Sequence, residues 1–159
     1  MANKAYLTAI SRKKLSGPMQ WLMNNRLIPM CQEGKRKLDY GCGRGTDAEQ
    51  LDMMKYDPHY FPDTPLTPGF YYCVTCNYVL NVIPEKEERG KVLSALKELG
   101  SNRVGSVYVS VRNDKKSLNG WTTRDTWQGL IEDSELAEAG FEKIYTNSNF
   151  RMFRWSITT

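Results

Sequence analysis

Hydrophobic and polar positions along this chain switch repeatedly between the period of a helix and that of a strand. Gly17-Pro18 opens a short helix through about Asn25, with Met19, Leu22 and Met23 on one side. Lys37 to Tyr40 reads as a short strand running into Gly41-Cys42-Gly43-Arg44-Gly45. Thr46 or Asp47 then caps a helix through Met53 or Met54, and Lys55-Tyr56-Asp57-Pro58 is a second strand of minimal length. Phe70 to Leu80 has the strongest strand character, rich in aromatic and β-branched residues and preceded by Pro68-Gly69. Pro84 begins a helix through Leu99 whose buried stripe is Val92, Leu93, Leu96 and Leu99, and Gly100 stops it. Its charges from Glu85 to Lys97 read as a solvated face.

Val104 to Val111 alternates, with Val107, Val109 and Val111 on one face of a strand. Thr123 and Ser134 read as caps of two short helices, the second ending at Gly140. Phe141 to Thr146 and Phe150 to Ile157, joined by Asn147-Ser148-Asn149, predict a terminal antiparallel hairpin. Strands alternating with helices predict an α/β fold, a mostly parallel sheet with helices on both faces. The chain has 159 residues, which suits one domain over 1–159 with residues 1–30 as an N-terminal helical or lid segment.

Composition narrows the class. The chain is 40% hydrophobic and 25% charged, enough apolar residues for a core. No window approaches roughly 18 consecutive apolar residues, and the basic, polar N-terminus lacks a signal-peptide core. A cytoplasmic protein with no membrane partner is the expectation. Residues 1–45 hold nine Lys/Arg against two Asp/Glu, whereas the rest hold thirteen against sixteen. The basic front end either suits an anionic partner, nucleic acid among them, or is an ordinary solvated surface. Cys73-x-x-Cys76 lacks a second pair and lies in a strand, where positions three apart face opposite sides, so no metal is expected there. Reduced, buried thiols are the plainer reading.

The sharpest chemical signal is Leu38-Asp39-Tyr40-Gly41-Cys42-Gly43-Arg44-Gly45. A strand feeding a glycine-rich turn into a helix lets backbone approach a ligand that any Cβ would obstruct. A dinucleotide fingerprint would place its third glycine at position 46, which is Thr. The tighter spacing behind an acidic residue fits the methionine end of S-adenosylmethionine, with Asp39 holding the ammonium directly or through water. Asp57, at the end of the second strand, is placed to accept both ribose hydroxyls, or is a turn residue before Pro58. Such a carboxylate usually lies about 20 residues beyond the loop, whereas Asp57 follows Gly45 by 12. The helix and strand between them must be trimmed.

With these residues assembled, the chain resembles the class I S-adenosylmethionine-dependent methyltransferases. More narrowly, it resembles the methyltransferases associated with bacterial DNA phosphorothioation and their phage-borne relatives. The likeness is carried by Thr8-Ala9-Ile10-Ser11-Arg12, by Leu38 to Gly45 with Asp47, and by Tyr56-Asp57-Pro58-His59-Tyr60-Phe61-Pro62-Asp63. Asn77-Tyr78-Val79-Leu80-Asn81-Val82-Ile83-Pro84, followed by Glu88-Arg89, completes it. It spans residues 8 to 112, about two thirds of the chain. The resemblance implies a Rossmann-like sandwich ending in an antiparallel β-hairpin and trimmed around its second and third strands. It further implies that Asp39, Gly41, Gly43 and Gly45 line the methionine pocket, that Asp57 binds the ribose, and that Pro58 and His59 flank the adenine. Asn77 and Tyr78 would sit near the transferable methyl.

The remaining candidates keep two readings each. Asn77 and Tyr78 either position the acceptor or cap and pack the strand end; no Asn-Pro-Pro-aromatic run, common in enzymes that methylate base amines, follows. Ser11-Arg12 either folds over the cofactor, with Arg12 pairing a carboxylate or a phosphate, or lies on the surface. Arg12, Lys13, Lys14, Arg112, Lys115 and Lys116 either converge as a basic rim for nucleic acid or scatter. Trp121, Trp127 and Trp155 either stack on bases or belong to the core. The expected function is methyl transfer from S-adenosylmethionine to an unidentified acceptor, with nucleic acid slightly favoured. Its rivals are a small-molecule methyltransferase and a silent cofactor-binding subunit or sensor. A nicotinamide oxidoreductase is disfavoured by the glycine spacing.

Overall fold

A computed structural model describes residues 3–10, 12–30, 36–114 and 118–157. The elements are α1 (Gly17–Asn24), β1 (Lys37–Tyr40), α2 (Thr46–Gln50), β2 (Met54–Tyr56), β3 (Cys73–Asn77), α3 (Lys86–Leu99), β4 (Ser106–Arg112), β5 (Asn119–Trp121), β6 (Trp127–Gly129), α4 (Asp133–Glu138), β7 (Glu142–Thr146) and β8 (Phe150–Trp155). Two 3₁₀ turns, Ala5–Thr8 and Leu80–Val82, complete them. No helix among the described residues is long and apolar enough to cross a membrane.

Six strands form one sheet in the order β2-β1-β3-β4-β8-β7. The pairs β1–β2, β1–β3 and β3–β4 are parallel, and β8 runs antiparallel to both β4 and β7. Alternating side chains feed two cores. Val74, Cys76, Val107, Val109 and Phe153 pack with Leu93, Leu96 and Leu99 of α3 and Leu136 of α4. Cys73, Tyr108 and Met152 pack on the other face with Met19 and Leu22 of α1 and Ala48 of α2. Cys73 and Cys76 thus occupy opposite faces of the sheet, as a period of two requires. The order reverses between β1 and β3, which opens a crevice beyond their carboxyl ends.

Local chemistry explains the boundaries. Ser16 caps α1 by accepting from the Met19 amide, ahead of Pro18 in the first turn. The cap of α2 is not Thr46 or Asp47 but Gly45, at φ +85°. Asp47 is instead spent on α1, accepting from the Ser16 amide at 2.9 Å and its hydroxyl at 2.6 Å. The third strand ends at Asn77 rather than continuing to Leu80, because Tyr78 turns the chain at φ +61°. Residues 57–72 add no strand beyond an isolated Asp57–Phe61 bridge, so β2 is the sheet edge.

Two expectations are corrected. No helix begins at Thr123: Thr122 and Thr126 close a turn between β5 and β6, with Thr122 N–H donating to Thr126 O at 2.7 Å. Nor is the polar face of α3 wholly solvated. Arg89 makes a paired fork to Glu135 of α4, 2.8 Å at both nitrogens, and also donates to the Ile83 and Pro84 carbonyls. Trp127 and Trp155 pack against the core, while Trp121 is 47% exposed.

Candidate functional site

The crevice at the reversal point is a cavity of about 450 Å³, within the roughly 300–1,000 Å³ usual for small-molecule sites. Four stretches line it: Asp39 to Arg44 of β1 and its loop, Asp57-Pro58-His59 after β2, Asn77-Tyr78-Val79 after β3, and an N-terminal strap running from Asn3 to Arg12. Within them Lys4, Leu7 and Tyr40 are absent from the lining, and Ser11 is outside the described residues. Ser16, Asp47, Val82 and Ile83 complete the lining.

Of the three left-handed glycines in the loop after β1, two shape the cavity. Gly41 has φ +76°, and a Cβ there would overlap Val79 Cγ2. Gly43 has φ +57°, and its Cβ would stand 3.0 Å from that of Ala9. Side chains at either position would be strained and would fill the cradle. Gly45 does not line the cavity; its missing Cβ makes room for Lys55 and Phe61 instead.

Three carboxylates face this space. Asp39 is almost wholly buried and accepts from Thr75 Oγ1 at 2.8 Å. Burial pushes its carboxyl up to about 7, the Thr75 hydrogen bond opposes the rise, and Asp47 and Asp57 add to it. Asp57 is half-buried: Oδ2 accepts from the Gly43 amide at 2.9 Å, and Oδ1 from the His59 and Tyr60 amides at 2.9 and 3.1 Å. It therefore organises the turn and also lines the cavity. Asp47 is the third, tied to Ser16.

Across the crevice, Asn77 Oδ1 accepts from Ser110 Oγ at 2.8 Å, and the Tyr78 amide donates to the Ser110 carbonyl at 3.0 Å. A left-handed backbone is unfavourable for a tyrosine by about 1–3 kcal/mol, and here it turns Tyr78 into the lining of the cavity. Burial raises its phenol, against the lowering pull of Arg112 and Arg12.

The strap is the part the sequence left least visible. The Tyr6 ring stacks on His59 with centroids 4.0 Å apart and planes 11° from parallel, and Tyr60 Oη donates to the Tyr6 carbonyl at 3.3 Å. Asn3 Nδ2 donates to Val82 O at 2.8 Å, and the Lys4 amide to Asp125 O at 2.9 Å. Aromatic and amide residues in an irregular segment carry no periodicity, so only the block from Thr8 to Arg12 signalled a role there.

A second, more polar cleft of about 340 Å³ adjoins the first, sharing Thr8, Ile10, Arg12, Tyr78 and Val82. Arg112, Asp114, Asn81, Gln128, Asn149 and Gly17 complete it. Of the predicted basic rim, Arg12 and Arg112 meet here; Lys13 and Lys14 line neither space, and Lys115 and Lys116 lie outside the described residues.

No protein-family model matches the sequence, and neither does any curated protein. Solved structures do resemble the fold. One is an S-adenosylmethionine-dependent methyltransferase from Mesorhizobium loti, with TM-score 0.56 and 11% identity over 87% of this chain and 97% of that one. Another is DhpI in complex with SAH, with TM-score 0.53 and 13% identity over 86% of this chain and 85% of that one. With its mostly parallel sheet closed by an antiparallel hairpin, the chain has the Rossmann-like fold of the methyltransferases.

Proposed function

We propose that this chain binds S-adenosylmethionine in the first cavity and transfers its methyl group to an acceptor entering from the second cleft. One observation carries the reading: the Cβ-free bend at Gly41 and Gly43 faces a buried carboxylate, Asp39, at the reversal point of the sheet. The residues suit the ligand. Asp39 and a neighbouring carboxylate offer a seat for an ammonium, and Asp57 has oxygen lone pairs left for ribose hydroxyls. Pro58 and His59, exposed residues of the lining, offer surfaces for a flat base.

When bound, S-adenosylmethionine supplies a methyl group on a positively charged sulfur, already activated as an electrophile. Transfer would form the new bond from the acceptor's lone pair while the electrons of the C–S bond stay on sulfur, and any proton on the acceptor atom would be lost to solvent as the product leaves. The protein's part is alignment and exclusion of water, worth about 7–11 kcal/mol of barrier in favourable cases. Tyr78, held by its backbone, stands where the two spaces meet, and Asn77, held by Ser110, lines the first cavity beside it; both would orient the acceptor. Free thiols at Cys42, Cys73 and Cys76 suit a cytoplasmic setting. The narrower kinship with phosphorothioation-associated enzymes rests on the blocks Tyr56–Asp63 and Asn77–Pro84.

Calorimetry with S-adenosylhomocysteine tests the binding step: micromolar affinity in the parent, lost in Asp39→Ala, is the expected result. Absence of heat and of any thermal shift would overturn the reading. Label passing from methyl-labelled S-adenosylmethionine to any component of a cell extract, and abolished by Asp39→Ala, establishes turnover. Binding without label would mark a cofactor-holding subunit or sensor. Tyr78→Phe should leave homocysteine-form binding intact and slow transfer.

A further inference from the structure

We propose that the second cleft seats a small acceptor bearing an oxyanion, a carboxylate or a phosphate, gripped between Arg12 and Arg112. The inference rests on the methyltransferase reading for the word acceptor, but the anion site stands on its own geometry.

Charge is sorted between the two adjoining spaces. The first carries Asp39, Asp47 and Asp57 against Arg12 and Arg44. The second carries Arg12 and Arg112 against Asp114 alone. An anion therefore finds repulsion in one and attraction in the other. Arg112 is held in place by Asp114, 3.1 Å from its Nη2, and its own amide donates to Asn81 Oδ1 at 3.4 Å. Arg12, from the strap, lines the same cleft, and both cations act on the Tyr78 phenol.

The neutral lining is donor-rich as well. Asn81 is 1% exposed and donates through Nδ2 to Gln128 Oε1 at 3.0 Å. With its oxygen so engaged, Gln128 keeps both amide hydrogens for a ligand, and the hydroxyl of Tyr78 adds another donor, whereas Thr8 donates its own to the Ala5 carbonyl at 2.6 Å. Guanidinium groups that meet an oxyanion on two sides fix its orientation as well as its charge.

Size and walls favour a small molecule over a polymer. The cleft holds about 340 Å³ and is bounded by the strap, which the Lys4–Asp125 backbone bond and the 3.4 Å ion pair between the same residues fasten to the β5–β6 turn. A nucleic-acid backbone needs a groove that tracks successive phosphates, and Lys13 and Lys14 do not extend this one. An acceptor held here presents its nucleophilic atom past Tyr78 into the first cavity. There its lone pair meets the methyl carbon as the C–S electrons return to sulfur.

The test titrates inorganic phosphate and, separately, acetate into the full chain at fixed ionic strength, following amide NMR shifts with and without S-adenosylhomocysteine. Saturable binding of at least one anion is expected, weakened about tenfold by Arg12→Gln or Arg112→Gln, the loss of one charge-assisted pair. Arg112→Lys should recover most of it, and the distant Lys86→Gln should change nothing. Which anion binds identifies the acceptor's group. Asp39→Ala should keep the anion while losing the homocysteine ligand; a parent that binds anion but no homocysteine ligand sinks the cofactor reading and leaves an anion site. No saturable binding, or binding indifferent to Arg12→Gln, overturns the proposal. So does a single-stranded 12-nucleotide DNA that binds with the same arginine dependence where both small anions fail.

Discussion

The Gly43 amide donates to Asp57 Oδ2 at 2.9 Å, joining the glycine loop directly to the turn after β2. This bond explains how a carboxylate only 12 residues beyond Gly45 reaches the cavity. A five-residue α2 and a three-residue β2 shorten the route, and the loop closes onto the turn instead of waiting for a longer strand. Asp57→Asn keeps an oxygen for the His59 and Tyr60 amides but sets N–H against N–H at Gly43. Loss of about 1–3 kcal/mol of stability follows, together with about tenfold weaker homocysteine-ligand binding. Urea denaturation and calorimetry on one preparation check both.

Asp39 makes stability depend on pH in an unusual direction for a carboxylate. Its folded value, about 7, lies above the ordinary 3.8, so the folded state binds the proton more tightly than the unfolded chain. Stability therefore falls as pH rises from about 4 to about 7 and levels off above. Asp39→Asn, which keeps an acceptor for Thr75, should match the parent near pH 4 and exceed it at pH 8 by on the order of a few kcal/mol. Denaturation midpoints across that range decide it; a parent equally stable at both ends, relative to Asp39→Asn, would refute the assignment.

The same proton marks binding. An ammonium beside Asp39 requires the ionised carboxylate, so at pH 6 the homocysteine ligand should displace most of one proton, and at pH 8 almost none. Calorimetry in buffers of different ionisation heat measures the count. Affinity should climb with pH and plateau above about 7.

Gly41 and Val79 interlock: a Cβ on the first meets Cγ2 of the second. Gly41→Ala should cost about 1–3 kcal/mol for the left-handed backbone alone, and more for the collision. Adding Val79→Ala should recover the collision part and leave the backbone part. Additive losses in the double variant would contradict the contact.

Tyr6 and His59 lie at ring-contact distance, so no base can enter between them unless they part. Tyr6→Ala should raise the association rate constant of the homocysteine ligand severalfold, measured by stopped-flow fluorescence. An unchanged or slower rate would mean that the base lies elsewhere in the cavity.

Much of this architecture could be read before any coordinates. β1, α3, β4 and the β7–β8 hairpin carry strict periodicity or strong breakers such as Gly100 and the Asn147-Ser148-Asn149 turn. Part of what escaped is local ambiguity and part was set by contacts distant in sequence. Thr123 reads as a cap because threonines serve caps and turns alike; the Thr122–Thr126 pairing that closes a hairpin there spans only four residues. Phe70 to Leu80 looks continuous because residue type does not announce that Tyr78 adopts a left-handed backbone. Arg89 looks solvated on its helix, and only the packing of α4 brings Glu135 to it. Within the site, Asp39, Gly41, Gly43, Asp57, Asn77 and Tyr78 converge on one cavity from their positions at strand ends. The partners Tyr6, Ser16, Gln128 and Asn149 carried no motif, because each acts through a contact made from an unrelated stretch of chain.

The central claim is most directly tested by a crystal structure grown with S-adenosylhomocysteine. The account predicts the ligand in the first cavity, its ammonium at the Asp39 carboxylate directly or through one water, its ribose on Asp57, and Tyr6 parted from His59. A cavity left empty at saturating ligand, or a ligand seated away from Gly41 and Gly43, would contradict it.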